Sequence, residues 1–414
     1  MRDQRFPKFK SEAMPIPRWE FVSMMAAIFG LQAMGIDVML PALEIVAEHY
    51  SVEKQNDQQL IIFAFILGFG FPQLVFGPIS DRFGRKILLQ LSLIGYFLTG
   101  FACMVAPSFS SLLALRLLQG ICCAGTRVSA GAIIRDLTKG RAMASILSLV
   151  YTVFMIVPIL APAIGTAIMA VMHWSWVFGI LGVFSAILFV WIQFRLPATL
   201  AESDKRPISI NQVFGAFKML VTHRTTAGYM LASGIIFGCL FAFIGASEQV
   251  FDDVFGRGDQ FYLYFAGVAG LLAIMNFFNS RFVGRFGMRR ISHVVVLIFI
   301  ALSIINLLYM HFVGQNFWVF YCLFVLTFGC FGMMGANFSS LALEYMGHIA
   351  GTANAVYGFV TLTLSSFLGF IVARSFDGTV RPLLVAYVLL GIISLAVILI
   401  TERGKLFEVG EGKS

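Results

Sequence analysis

The stretch Gly77-Pro78-Ile79-Ser80-Asp81-Arg82-Phe83-Gly84-Arg85-Lys86 decides how the rest of the chain is read. It gathers Asp81, Arg82, Arg85 and Lys86 between two long apolar runs, so it reads as a short polar hinge between two membrane helices. Asp81 is placed to cap the free N–H groups of the following helix, the basic residues to hold the turn in the cytoplasm, and Gly84 to permit the tight turn. About half a chain length further on, Asn279-Ser280-Arg281-Phe282-Val283-Gly284-Arg285-Phe286-Gly287-Met288-Arg289-Arg290 repeats the Arg-Phe-Gly core. A charged turn recurring at that interval makes the chain two copies of one unit, and such internal repeats mark transporter folds.

Composition agrees. Hydrophobic residues are 59% of the 414 and charged residues 12%, against roughly 25% charged in a soluble domain. At ~20 residues per span there is room for ~12 membrane helices, and the expected fold class is all-α and integral to the membrane. The net charge of +8 would suggest a nucleic-acid partner for a soluble protein, but the placement of the positive residues accounts for it. With the N-terminus taken as cytoplasmic, Lys and Arg fall in residues 1–18, 82–86, 135–141, 195–224, 281–290 and 403–413. The alternate loops hold only Lys54, Arg257, Arg374 and Arg381. This pattern predicts a multi-pass protein with both termini in the cytoplasm, its partner the lipid bilayer and not nucleic acid. The six Cys lie in apolar runs without metal-type spacing and the six His are scattered singly, so no metal site is expected. Residues 1–18 are polar and basic, and the apolar run after them exceeds a signal peptide's length, so no cleaved leader is expected.

Twelve spans are predicted, at 19–43, 58–78, 87–106, 109–131, 145–171, 174–196, 225–250, 261–280, 291–311, 316–340, 350–373 and 381–401. They divide into a tail (1–18), a first six-helix bundle (19–197), a linker (198–224), a second bundle (225–401) and a second tail (402–414). Asp37 stands in the outer half of the first span, ahead of Pro41, and Arg116 about two turns inside the fourth. A charge at a span's centre costs about 2.5–3.5 kcal/mol, so each reads as functional and each needs a partner. They are the obvious partners for one another, Asp37 placed to gain and lose a proton and Arg116, which keeps its charge, to bias its affinity. Arg127 shares the face of Arg116, about 16 Å further along the helix, and reads as a side chain snorkelling to the cytoplasmic surface. Pro158 and Pro162, with Gly165 behind them, read as a hinge. Asn276, Asn279, Asn337, Asn354, Tyr357 and Thr361 are polar groups that could face a cavity. The candidate cavity set is Asp37, Arg116, Tyr151, Met155, Asn276 and Tyr357. With one buried acid against two arginines, neutral, zwitterionic or anionic amphiphiles suit such a cavity better than dications. Glu248, followed by Asp252, Asp253 and Asp259, reads as a solvated rim.

The first charged stretch resembles the signature between helices 2 and 3 of the major facilitator superfamily, and 279–290 its degenerate copy between helices 8 and 9. Over residues 19–401 the chain is similar to the 12-helix drug:proton antiporters, most closely the bacterial Bcr/CflA-type multidrug efflux group. The residues that carry this are Asp37 with Leu40-Pro41-Ala42-Leu43, Gly77 to Lys86, Arg116 with Gln119-Gly120, Arg135-Asp136 and the Pro158/Pro162 run. The resemblance implies two pseudo-symmetric six-helix bundles in a bacterial cytoplasmic (inner) membrane. It implies a conformational switch built from Gly77, Asp81, Arg82, Gly84, Arg85, Arg135 and Asp136. It also implies proton-coupled export of small amphipathic compounds, of the bicyclomycin and chloramphenicol kind, by a monomer needing no cofactor beyond the proton gradient. Asp37 and Arg116 then carry the proton coupling. The same scaffold serves a proton-coupled importer, or an exporter of a native metabolite or siderophore. A membrane enzyme is disfavoured, since the chain has no His-Glu-x-x-His and no Ser/His/Asp set. A receptor has no need of two matching charged turns.

Overall fold

Why the second span is kinked follows from Pro72, which has no N–H for the helical ladder. In the computed structural model, which describes residues 16–54, 56–138, 140–200, 210–346 and 349–407, this span is two helices, α3 (Leu60–Gly70) and α4 (Gln73–Phe83), bent by 45° at the break. Among the described residues eleven further helical segments are long and apolar enough to cross a membrane, so counting the bent pair as one span gives twelve.

Pro41 acts in the same way on the first span. The Asp37 carbonyl would accept from the N–H at position 41, which proline lacks, and α1 (Arg18–Asp37) ends there. A 3₁₀ turn, Leu40–Ala42, leads into α2 (Leu43–His49), so the first six residues beyond the span expected at 19–43, 44–49, are helical.

The spans that follow are α5 (Arg85–Met104), α6 (Phe109–Leu137), α7 (Gly140–Val171) and α8 (Trp176–Arg195). Ser108 and Ser111 form a capping box at the start of α6. An amphipathic α9 (Ile210–Thr222) occupies the expected linker. Then come α10 (Arg224–Gln249), α11 (Phe261–Phe286), α12 (Met288–Phe312), α13 (Phe317–Leu343), α14 (Ala350–Arg374) and α15 (Arg381–Thr401). Asn316 caps α13 by accepting from the N–H groups of Trp318 and Val319. Parts of the two expected tails and of the linker lie outside the described residues.

Two expectations for the charged stretch are corrected. Residues 77–83 are helix, not loop, and the whole turn is Gly84, whose φ of 109° only glycine adopts without strain. Asp81 does not cap α5, whose N-terminus has no side-chain cap. It lies one turn earlier, paired with Arg85. The repeat makes the same turn with Gly287, at φ 80°. Likewise Arg135 and Asp136 are still inside α6.

The helices gather into two compact units: the described parts of Met1–Val46 with Ala64–Ile210, and of Ala47–Phe63 with Asn211–Ser414. Inside the first, α3 and α6 cross with backbones touching, since a Cβ on Gly120 would sit 2.1 Å from the Phe65 carbonyl oxygen. Inside the second, Gly332 of α13 meets the Leu272 carbonyl of α11 at 2.2 Å in the same sense. The second interior is aromatic, with Phe243 packed on Phe265, Phe324 and Phe328.

The segment 47–63 belongs to the second unit through hydrogen bonds as well as packing. Asn56 Nδ2 donates to the Phe376 carbonyl (2.8 Å), and Gln249 donates to Asn56 Oδ1 (2.7 Å). Gln59 donates to Gln249 (2.6 Å) and to the Ala373 carbonyl (3.1 Å), while Asp57 pairs with Arg374 at 2.8 Å.

Candidate functional site

Asp37 ends α1 at the break that Pro41 imposes, and its side chain is 4% exposed. Among the described residues it forms no ion pair and accepts no hydrogen bond. Helix α7 touches this break through Gly165, where a Cβ would lie 2.0 Å from the Val38 carbonyl oxygen and 3.4 Å from the Pro41 ring. Only a residue without a side chain lets the two segments come so close.

Arg116 of α6 is fully buried, yet its charge does not go to Asp37. Nη2 donates to the Gly35 carbonyl at 2.7 Å and lies 3.0 Å from the Met39 sulfur, while Nη1 donates to Gln119 Oε1 at 2.6 Å. The rings of Phe65 and Phe178 stand 4.5 and 5.6 Å from the guanidinium carbon. The direct Asp37–Arg116 pair is therefore not formed. The arginine instead grips the backbone two residues before the acid, so the two are joined through the end of α1. Gly35 makes this possible, because a Cβ there would meet the Phe65 ring at 2.7 Å and the Tyr96 hydroxyl at 2.8 Å. The Gln119 amide nitrogen and the Tyr96 hydroxyl are buried here without hydrogen-bond partners.

Arg127 does not snorkel. Its guanidinium carbon lies 3.7 Å from the centre of the Phe29 ring, 5.7 Å from Tyr151 and 5.8 Å from Phe154. Tyr151 is 43% exposed, and Met155 follows it by one turn of α7. Pro158 and Pro162 lie within α7, which runs through both as one helix.

Of the expected switch residues, the structure brings together Asp81, Arg85 and Asp136 around the Gly84 turn. Arg85 pairs with Asp81 and donates from Nε to Asp136 at 3.2 Å. Ser80 and Thr199, which sequence reasoning missed, join at 3.3 Å each. Arg82 is exposed and outside this group, Arg135 is exposed but close enough to Arg85, Asp136 and Asp81 to interact with their charges, and a Cβ on Gly77 would meet nothing. A second ion pair in the first unit, between Arg195 and Glu20 at 2.6 Å, ties the end of α8 to the start of α1.

In the second unit, Tyr357 shares a 2.8 Å hydrogen bond with Ser233, and Asn279 and Asn337 bond one another across α11 and α13. Asn276 lies on α11. At the Gly287 turn a network unforeseen from sequence replaces the Arg85 group. Arg289 reaches Glu402 (3.1 Å) and Glu344 (3.4 Å), Tyr229 donates to Glu402 (2.7 Å), and buried His293 lies 3.0 Å from Tyr229. The Phe407 N–H donates to His293 Nδ1 at 3.1 Å, fastening the chain beyond α15. A buried His beside a Gly turn was the available signal. Among the described residues, neither unit by itself gathers three His, Cys, Asp or Glu ligands within reach of one ion.

A family model of the Major Facilitator Superfamily matches residues 24–370. The chain is 29% identical over 365 residues to the bicyclomycin resistance protein homolog of Haemophilus influenzae, covering 88% of this chain and 91% of the relative. It is 25% identical over 219 residues to the chloramphenicol resistance protein CraA of Acinetobacter baumannii, covering 53% and 52%. Among solved structures, the bacterial homolog to the human lysosomal transporter Spinster, inward-facing and occupied, superposes with a TM-score of 0.72 at 15% identity. That match covers 94% of this chain and 97% of the other.

Proposed function

Since this chain belongs to the Major Facilitator Superfamily, we propose that it exports small amphipathic compounds, drugs among them, in exchange for protons by alternating access. The observation that carries the proton coupling is Asp37: a carboxyl buried at a proline-induced helix end, held by no cation among the described residues. The resistance proteins similar to it in sequence support the cargo class. Its site is a bacterial cytoplasmic membrane, with both termini on the cytoplasmic side, where the Lys and Arg of the loops would lie. It works as a monomer, with protons and a small amphipathic substrate as its partners and no cofactor.

Asp37 takes up a proton when the cavity opens outward, which removes the penalty on a bare carboxylate within the membrane, and surrenders it when the cavity opens inward. Each proton moving inward through ~100 mV supplies about 2.3 kcal/mol. Arg116 acts at one remove. By holding the Gly35 carbonyl it fixes the last turn of α1, and with it the aim of the Asp37 side chain. The Asp81–Arg85–Asp136 group acts as the latch that holds one state until substrate or proton tips the balance.

The test is pH change inside energised everted vesicles challenged with neutral, anionic and cationic antibiotics. Wild-type protein releases protons in response to some of the panel, and Asp37→Asn abolishes the response. Full transport by Asp37→Asn with unchanged pH dependence would falsify the proton-carrier role.

A further inference from the structure

The proton-coupling site leaves one half-buried cation of the first unit unused. Arg127 sits on the same face of α6 as Arg116, eleven residues on, between α1 and α7. A guanidinium keeps its charge and carries five N–H donors. Phe29, Tyr151 and Phe154 surround it; the ring faces stabilise a cation but give no in-plane lone pair, and the Tyr151 hydroxyl is the one acceptor among them. Nη1 is nevertheless buried without a hydrogen-bond partner, and among the described residues no carboxylate pairs with Arg127. One turn along α1 from Phe29, Gln32 buries its Oε1, also without a partner. The aromatic box thus accounts for the charge, and the Tyr151 hydroxyl for one hydrogen bond to the guanidinium, but the Nη1 donor and the Gln32 acceptor are left for a group the protein does not supply. The box opens at Tyr151, which is exposed.

We propose that Arg127, walled by Phe29, Tyr151 and Phe154, is a subsite for the acidic group of an amphipathic aromatic anion. The anion's carboxylate or phenolate oxygen accepts from Nη1, and its ring system lies against the three aromatic walls. A hydroxyl or amide N–H elsewhere on the same molecule would satisfy Gln32. Cargo of this kind carries a negative charge outward while the exchanged proton carries a positive one inward, so both movements are driven by an inside-negative potential. The inference rests on the export reading only in taking the ligand to be cargo.

A matched set of probes tests it on the purified full-length protein in nanodiscs, with no gradient: 1-naphthoate, its uncharged amide 1-naphthamide and the cation 1-naphthylmethylammonium. Wild type binds naphthoate at least about tenfold more tightly than the amide, the usual worth of one charge-assisted hydrogen bond. Arg127→Gln loses that preference while keeping its affinity for the amide, and Arg127→Lys retains part of it. Tyr151→Leu, at an exposed position, weakens naphthoate and amide alike. Equal binding of naphthoate and amide by wild type overturns the proposal without any variant, as does an undiminished preference in folded Arg127→Gln. Binding is read without transport, so a chain that exports nothing leaves this result standing, and a failed subsite leaves proton-driven export standing.

Discussion

Gly35 does two jobs that no other residue can combine. Its carbonyl accepts from Arg116, and its missing side chain makes room for the Phe65 ring and the Tyr96 hydroxyl. Gly35→Ala forces an overpacked contact of the kind that costs about 1–3 kcal/mol, and it pushes α1 away from the guanidinium. The expected outcome is a lower melting temperature together with loss of proton exchange in vesicles. Retention of both in the variant would mean that Arg116 does not steer Asp37 through the backbone. At this scale the sequence was informative about charges and silent about their partners. Asp37 and Arg116 are conspicuous because an apolar span tolerates few ionised groups. A backbone carbonyl has no signature, so the acid was the charged partner for Arg116 that sequence offered, and the Gly35 carbonyl could not be foreseen. Arg127 failed in the same way: distance along a helix suggested an escape to the surface, whereas three rings from two other helices hold it in place.

The helices themselves were legible in kind and number, because long apolar runs admit no other structure in lipid. Their ends were not. The charged stretch reads as a loop because it is polar, but a helix continues into polar sequence as long as its ladder is unbroken, and only Gly84 breaks it. One consequence is that Arg85 begins α5 while Asp81 lies one turn back in α4, so their bond staples two helices across a single-residue joint. Asp136→Asn removes a charge from this staple at a half-buried position. A pair of that exposure is worth at most about 1 kcal/mol, so the melting temperature should barely move. If the group latches one transport state, proton-exchange rate should change several-fold all the same. A variant indistinguishable from wild type in both measurements would leave the staple a fastening and nothing more. The matching joint at Gly287 uses Arg289, Glu344 and Glu402 instead. Those partners are drawn from three helix ends far apart in sequence, which is why the repeat was visible and its chemistry was not.

Taken as a whole, the chain repeats itself in sequence but is not divided where the repeat divides it. Residues 47–63 come from the first copy and are built into the second unit, with Asn56, Asp57 and Gln59 as partners for Gln249, Arg374 and the carbonyls of Ala373 and Phe376. Each such partner left buried and unsatisfied costs about 1–3 kcal/mol. Residues 211–414 produced alone should therefore melt well below the same residues produced together with 1–210, and a melting point unaffected by the missing half would show the segment to be dispensable. The result bears on how such proteins can be recombined. The halves are not interchangeable modules. A chimera that takes residues 1–210 from one relative and 211–414 from another crosses two lineages inside a single polar joint, and it should work only when the donor of the second half also supplies the short piece at 47–63.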